Sequence, residues 1–446
     1  MNTKQSSNAI FRAFIMLAIP TILEQLLSTV LQYVDTAMVG HLGAAATASI
    51  SLSTTYNWFF GSIMGAIGLG FLSYIARQIG EKNEYRIRHA LGMALDTAIV
   101  LGIMLTVITM SIAPFIPVWM GADESIAEVG IAYFRIINLP IVFKTTLVML
   151  SAVLRSTGDA RTPMKVNVFV NFLNIILNYI FIYVLSYGVI GAGIATSISY
   201  IAGGIVIFVA FTKNKYVCME GECFKMEKQV LSAALAIGVP AMVTRVISCL
   251  GHIVATSFVS SMGTIVFAAH SIAITAEQLF YIPGYGMQAA TSTMIGNAVG
   301  ENDEKKARKV MKTAVTIVVI IMLISGILLY IFAGRLMSIF TNDSQVISIG
   351  TDLLRIVAFT EPLYGAYIVM DGIYVGLGRT KPPMVVELIG HWGIRILGAY
   401  ILINYFNAGI REYWMCMIAD NISKAIMLAA GLIIILKSMK RKSSNS

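Results

Sequence analysis

The sequence predicts an all-α polytopic membrane protein of twelve transmembrane helices, built as two six-helix lobes that repeat one another. Composition is the first reason. Of 446 residues, 57% are apolar and 12% are charged, whereas a soluble domain carries about 25% charged residues. Mean hydropathy is +0.79. The second reason is a repeat held at a constant offset of 220 residues. Pro20 falls on Pro240, Gly43 on Gly263, Gly80-Glu81 on Gly300-Glu301 and Arg88 on Arg308. Gly130 then falls on Gly350, Arg135 on Arg355, Gly158 on Gly378 and Pro163-Met164 on Pro383-Met384. A period that long is no solenoid. The third reason is the placement of Lys and Arg in the loops.

A span needs roughly 20 consecutive, mostly apolar residues. Six such stretches occur per copy. The first copy holds them at 13–39, 46–75, 90–117, 127–153, 165–186 and 189–212. The second holds them at 231–258, 265–296, 310–333, 347–376, 384–405 and 413–436. The first stretch is long and no small-residue cleavage site follows it, so it reads as a span and not as a cleavable signal. The lobes are expected at 1–212 (spans 1–6) and 230–446 (spans 7–12), joined by a polar linker at 213–229.

Lys and Arg cluster on one side of the spans: Lys4 and Arg12, Arg77–Arg88, Arg155–Lys165, Lys213–Lys228, Lys305–Lys312, Arg379 and Lys381, and Lys437–Lys442. The opposite loops offer only Arg335 and Arg411. By the positive-inside rule both termini are cytoplasmic in a multi-pass cell-membrane protein. Six is an even number, so both copies insert in the same sense, as parallel repeats related by an axis along the membrane normal. The net charge of +9 is this loop bias. Basic residues spread over short loops give no footprint for nucleic acid.

Enzyme signatures are missing. There is no P-loop, no H-E-x-x-H and no G-x-S-x-G. The five His lack metal-ligand spacing. Cys218 and Cys223 form a C-x4-C pair in the linker, which reads as two reduced thiols without further ligands. Cys249 and Cys416 lie in apolar spans and read as core. No cofactor is expected beyond a coupling ion, H+ or Na+.

Charges within spans are costly and mark cavities or partners. Span 1 carries Asp35. Span 5 carries Asn167, Asn171, Asn174 and Asn178, whose spacings of 4, 3 and 4 put all four on one helix face. One carboxylate with a column of amides is a plausible lining for a small-cation site. The second lobe differs at matching positions: Ala255 replaces Asp35, and Glu387 and His391 replace Asn167 and Asn171. Glu387, His391 and Arg395 form an i, i+4, i+8 ladder. Arg245, Glu277, Glu361 and Asp371 lie on other spans. Acids outnumber the two Arg. Arg395 is expected to pair with Asp371 or Glu387 as a structural contact, and Glu277, near mid-membrane, is expected to be the acid left without a full partner.

The stretches AIPTILEQLLSTVLQYVDTAMVGHLG (18–43), RSTGDARTPM (155–164), NFLNIILNYIFI (171–182), GVIGAGIATSIS (188–199) and MGTIVFAAHSIAITAEQLFYIPGYG (262–286) resemble the multidrug and toxic compound extrusion (MATE) transporters over essentially the whole chain. The resemblance implies two six-helix lobes forming a V around a central cavity, and export of organic cations and drugs against H+ or Na+ entry. It matches Asp35 to the family's first-helix aspartate and includes Glu277 in the span 7–8 pattern. The chain departs from the pattern too. Many prokaryotic members carry Asp where Asn178 stands. Some sodium-coupled members carry acids that fall near Ser248 and Tyr364 here. Asp371 lies two turns beyond Tyr364 and is a candidate substitute.

The combined expectation is a secondary active antiporter, monomeric, in a prokaryotic plasma membrane, with small organic cations as cargo. Asp35, Asn174, Asn178 and Thr196 would hold the coupling cation, Na+ included. Glu277, Asp371, Glu387, His391, Arg395, Arg245 and Tyr364 would serve cargo or proton in the second lobe. A lipid-linked saccharide flippase is the alternative with the same fold, favoured by clustered Arg or Lys for a pyrophosphate. An ion channel is the alternative from another class, disfavoured because no polar ring repeats about a symmetry axis.

Overall fold

The chain runs through α1 (Thr3–Gly40), α2 (Ala44–Gly80) and α3 (Glu84–Ile112), then a 3-10 turn (Ala113–Phe115) and the short α4 (Ile116–Trp119). It continues through α5 (Glu124–Asn138), α6 (Ile141–Ser156), α7 (Arg161–Asn178) with a π-helical end (Tyr179–Val184), and α8 (Gly188–Thr212). The second copy follows as α9 (Lys228–Ser260), α10 (Thr264–Gly300), α11 (Glu304–Phe340), α12 (Ser344–Ala358) and α13 (Glu361–Gly376). It ends with α14 (Lys381–Glu387), a π segment (Leu388–Ile396), α15 (Leu397–Phe406) and α16 (Ile410–Ser444). This computed structural model describes residues 3–42, 44–119, 124–217, 227–406 and 408–444, and among them there is no strand. Cys218, Cys223 and the side chain of Asp35 lie outside the described residues.

Ten of these helical runs are long and apolar enough to cross a membrane singly. Two further spans are bent pairs: Ala127–Asn138 with Ile141–Ser156 at 49°, and Ser344–Ala358 with Glu361–Gly376 at 58°. The twelve apolar stretches read from the sequence are these ten runs and two bent spans. The two bends fall at the same repeat position, since α5 and α12 end at equivalent residues and α6 and α13 begin at equivalent residues. In the first copy Pro140 lacks an N–H and biases Leu139 away from helix. In the second Thr360 replaces it and Pro362 sits in the first turn of α13, where its missing donor has no helical acceptor anyway.

The repeat survives in backbone detail. Lys82 (φ 55°) and Asn302 (φ 54°) both take the left-handed conformation. The next residues, Asn83 and Asp303, cap α3 and α11 by accepting from the backbone N–H of Arg86 (3.1 Å) and Lys306 (2.8 Å). Gly158 (φ 91°) and Gly378 (φ 70°) are a second equivalent pair, at positions where a side chain would be strained.

Packing divides the chain into two units, Leu23–Val239, and Met1–Ile22 with Pro240–Ser446. The lobe limits read from the repeat, 1–212 and 230–446, follow chain order, whereas packing places the start of α1 with the second copy. Ile10, Phe14 and Ala18 lie in a core with Met287, Val310, Val369 and Leu428. Likewise Val230 and Ala234 at the start of α9 pack with Phe71, Leu91 and Leu150 of the first copy. Both changes of unit fall beside a proline inside a helix, Pro20 in α1 and Pro240 in α9. Gly286 admits the backbone of Ile22 to within a distance that a Cβ would forbid. Cys249 and Cys416 are buried free thiols.

Candidate functional site

In the first-copy unit a polar seam joins α1 to α7. It starts with a buried ion pair: an Arg155 guanidinium nitrogen lies 2.6 and 2.8 Å from the two carboxylate oxygens of Glu24. Asn167 also donates to Glu24, at 3.0 Å, and to the carbonyl of Pro163 at 2.9 Å. One turn on, Asn171 donates to the hydroxyl of Ser28 at 3.0 Å. Another turn on, Asn174 donates to Thr196 of α8 at 3.2 Å, and Asn178 donates to the Asn174 amide oxygen at 3.2 Å. Asn178 is fully buried.

Both bonds between α1 and α7 join residues 143 apart in sequence. Two helices running the same way advance about 1.5 Å per residue each, so such a register persists along the seam. Asn167, Asn171, Asn174 and Asn178 therefore do form one column, as their spacing predicts. Glu24 and Arg155 are additional members that the reading for charges deep in spans passed over. The signal was available: Glu24, Ser28 and Asp35 fall on one face of α1, since eleven residues close about three turns.

The second-copy unit builds a different object at the equivalent place. Glu387 accepts from the Ser248 hydroxyl at 2.5 Å and from the Tyr367 hydroxyl at 2.8 Å. The Lys424 ammonium lies 3.0 Å from Glu387 and 3.0 Å from Asp420, and Arg395 lies 2.9 Å from Asp420. His391 places Nδ1 3.4 Å from Glu387, and Arg395 also reaches Asn421 at 3.4 Å. Glu387, His391, Arg395, Asp420 and Lys424 are all buried. Two acids and two bases thus form a closed, neutral chain, the condition under which burying charge is tolerated.

This corrects the pairing expected for Arg395. Its partner is Asp420, not Asp371 or Glu387, and Glu387 is taken by Lys424. Asp371 instead accepts from Gln288 at 2.5 Å. Asp420 and Lys424 escaped the reading, although they stand at i, i+4 in an otherwise apolar stretch of α16 and bridge one another. Arg245 makes no ion pair among the described residues; its guanidinium lies 5.8 Å from the centre of the Tyr285 ring. Tyr364 belongs to a cluster of four tyrosines. Its ring lies 5.5 Å from Tyr281 and 6.0 Å from Tyr367, and its hydroxyl is 3.3 Å from that of Tyr285. Lys424 sits 5.6 Å over Tyr367. Glu277 is buried and makes no ion pair among the described residues, although the Arg395 charge acts on it. Glu361 is a second such acid, with both carboxylate oxygens buried and unpartnered. Its position in the first turn of α13 leaves it the positive end of the helix dipole.

On the second seam the separations vary: Trp392 donates to the Ile247 carbonyl 145 residues away, while Ser248 and Glu387 are 139 apart. His252 meets His391, ring centres 5.3 Å apart, at the same separation. Gly251 lies directly under His391, where a Cβ would come within 2.4 Å of the imidazole; its repeat counterpart is Leu31. The π segment moves as well, from Tyr179–Val184 in the first copy to Leu388–Ile396 in the second. A π turn takes in an additional residue and re-aims the side chains that follow. No group of three or more His, Cys, Asp or Glu able to hold a metal occurs among the described residues.

The MatE family model matches residues 20–180 and again 240–401, the two copies in turn. The chain is 27% identical over 432 residues to a probable multidrug resistance protein NorM of Thermotoga maritima, covering 95% of this chain and 92% of that one. It is 22% identical to the multidrug export protein MepA of Staphylococcus saprophyticus, covering 96% and 94%. Among solved structures it is similar to a MOP superfamily transporter from Pyrococcus furiosus, with a TM-score of 0.91 over 96% of each chain at 23% identity. It is similar also to a Vibrio cholerae MATE transporter, with a TM-score of 0.92 over 97% and 98% at 20% identity.

Proposed function

Because the chain belongs to the MatE family, we propose that it is a multidrug exporter that drives organic cations out of the cell in exchange for H+ or Na+. The observation that carries this is the amide column on α7. Its deep end, Asn174 with Thr196 and the fully buried Asn178, is neutral, polar and closed off from ion pairs. Carried on at 143 residues, the register set by Glu24–Asn167 and Ser28–Asn171 brings position 35 level with Asn178. Among the described residues of α7, no Lys or Arg stands at that level. In a low-dielectric surrounding a carboxylate binds a proton or a small cation, and amide oxygens complete the coordination of a hard ion such as Na+.

Exchange follows from that electrostatics. An ionised Asp35 attracts a cationic drug; an Asp35 neutralised by H+ or Na+ does not. A gradient of either ion therefore biases the equilibrium between loaded and released states by the difference in affinity, and by nothing more. Of the four clustered tyrosines, Tyr285 and Tyr367 already carry Arg245 and Lys424, which leaves Tyr281 and Tyr364 as the rings that suit flat, apolar cations. The neutral Glu387–Lys424–Asp420–Arg395 chain leaves Arg245 as a single cation and not the cluster that a pyrophosphate calls for, which tells against a flippase of lipid-linked sugars.

Purified protein in vesicles loaded with a fluorescent organic cation tests the reading under an imposed pH gradient and, separately, a Na+ gradient. Export under one of them, abolished by Asp35→Asn, is the expected result. Absence of cation movement under both gradients, with inserted and folded protein, overturns it.

A further inference from the structure

Within the second-copy unit, α11, α13 and α16 leave a groove of about 560 Å³ that neither polar seam uses. Its walls are apolar: Val315, Ile373, Leu432 and Ile433 line it. The rest of the lining includes Arg308, Lys312 and Lys437 and no carboxylate. The basic residues lie together along the chain's path. From Thr313 to Gly334, α11 carries no Asp, Glu, Lys or Arg, a length of about 33 Å at 1.5 Å per residue, close to the ~30 Å of a hydrocarbon core. Lys312 stands at the head of that run. On α16 the apolar run Ala425–Leu436 ends at Lys437. Both lysines are exposed and both mark the level where hydrocarbon gives way to headgroups, on the side that the Lys and Arg bias assigns to the cytoplasm. Arg308 gives one nitrogen to Glu304 at 3.2 Å, while its Nε is buried with no hydrogen-bond partner among the described residues, and such donors normally have one.

We propose that this groove holds an anionic phospholipid of the inner leaflet, its phosphate between Lys312, Lys437 and Arg308 and an acyl chain along Val315, Ile373, Leu432 and Ile433. Charge complementarity selects the headgroup, because three cations face it and no acid does. The apolar walls select a lipid over a free anion, which would gain nothing from them. A zwitterionic headgroup brings its own ammonium against the lysines. The repeat supplies a comparison within the same chain. The positions equivalent to Lys312 and Thr316 are Gly92 and Asp96, so the first copy lacks the α11 lysine and sets a carboxylate where the groove has Thr316. Ile373 lies two residues past Asp371, and α16 carries Asp420 and Lys424. A lipid wedged here braces the helices that hold the buried charge network.

The test is native mass spectrometry of the delipidated full-length protein, titrated with phosphatidylglycerol, with phosphatidylcholine of the same chains, and with glycerol 3-phosphate. One phosphatidylglycerol should bind in preference to phosphatidylcholine. The double variant Lys312→Gln/Lys437→Gln should weaken it roughly thirtyfold, at about 1 kcal/mol per surface cation, and leave phosphatidylcholine unchanged. Lys312→Arg/Lys437→Arg should retain it, and Thr316→Asp alone should weaken it by importing the first copy's carboxylate. All these side chains are at the groove surface, so a thermal midpoint equal to the parent's is expected for each. Unchanged phosphatidylglycerol binding by both the Gln variant and Thr316→Asp overturns the proposal. So does glycerol 3-phosphate binding as tightly as the lipid, which would make this an aqueous anion site.

Discussion

The α1–α7 seam and the seam between α9 and the α14–π segment occupy the same repeat positions, yet one is a column of amides and the other a closed chain of charges. On the first, an ion pair, Glu24–Arg155, sits at one end and the amides Asn171, Asn174 and Asn178 follow. On the second, Glu387, Lys424, Asp420 and Arg395 satisfy one another. The difference teaches that a repeated scaffold decides where polar groups meet, while residue identity decides whether they bind something mobile or brace the fold. Amides have acceptors to spare and carry no charge of their own. Paired acids and bases have nothing left to offer a transported ion until a pair is broken.

If that division is right, the largest effect on stability belongs to the second seam. Lys424→Ala strands the buried Glu387 carboxylate and leaves Asp420 with Arg395 alone, and should cost about 3–5 kcal/mol in thermal unfolding of the detergent-solubilised protein; Arg395→Ala should act in the same direction. A variant as stable as the parent would mean the network is hydrated and not closed. The largest effect on transport belongs to the first seam. Asp35→Asn should leave the melting temperature unchanged and reduce cation efflux to that of empty vesicles. Normal efflux would remove the first seam from the mechanism.

Glu277 comes next. Glu277→Gln keeps the size of a buried acid that makes no ion pair among the described residues, so it should impair efflux with little loss of stability; equal impairment and destabilisation would make Glu277 a strut like Glu387. Gly251→Ala probes the register. A Cβ there runs into His391, and over-packing should destabilise by about 1–3 kcal/mol, whereas a neutral substitution would show that α9 and the π segment can slide. The smallest effect is expected at Asn178→Ala. Removing one amide from the column should raise the ion concentration for half-maximal transport severalfold, in line with about 1 kcal/mol for a hydrogen bond. A lower melting point with unaltered ion dependence would assign Asn178 to helix packing.

Much of the architecture was legible because it rests on local, periodic information. Apolar runs long enough to span a bilayer, and Gly and Pro recurring at a constant offset, are properties of the chain read in one dimension. The equivalent bends between α5 and α6 and between α12 and α13 follow from such marks, Pro140 in one copy and Pro362 in the other. The amide column was legible for the same reason, since 4, 3, 4 spacing defines a helix face without reference to any neighbour.

Partner choice was not legible. Arg395 had three acids within plausible reach in the sequence, and the helix that supplies its partner, α16, comes 25 residues later with Asp420. Which face of α16 turns toward the π segment depends on the packing of Tyr374 and Leu428 in the same core, a property of the assembled helices. The separations at which the seams make contact, 143 on the first and both 139 and 145 on the second, are likewise invisible in a repeat that aligns without gaps. Sequence alone determined the class, the number of spans, the repeat and the polar face of α7, because each is written in composition and helical period. Only the tertiary structure decided that Glu24 is neutralised by Arg155, that Lys424 bridges Glu387 and Asp420, and that both carboxylate oxygens of Glu361 are buried with no hydrogen-bond partner among the described residues, because a buried charge is settled by whichever side chain on another helix arrives within about 3 Å.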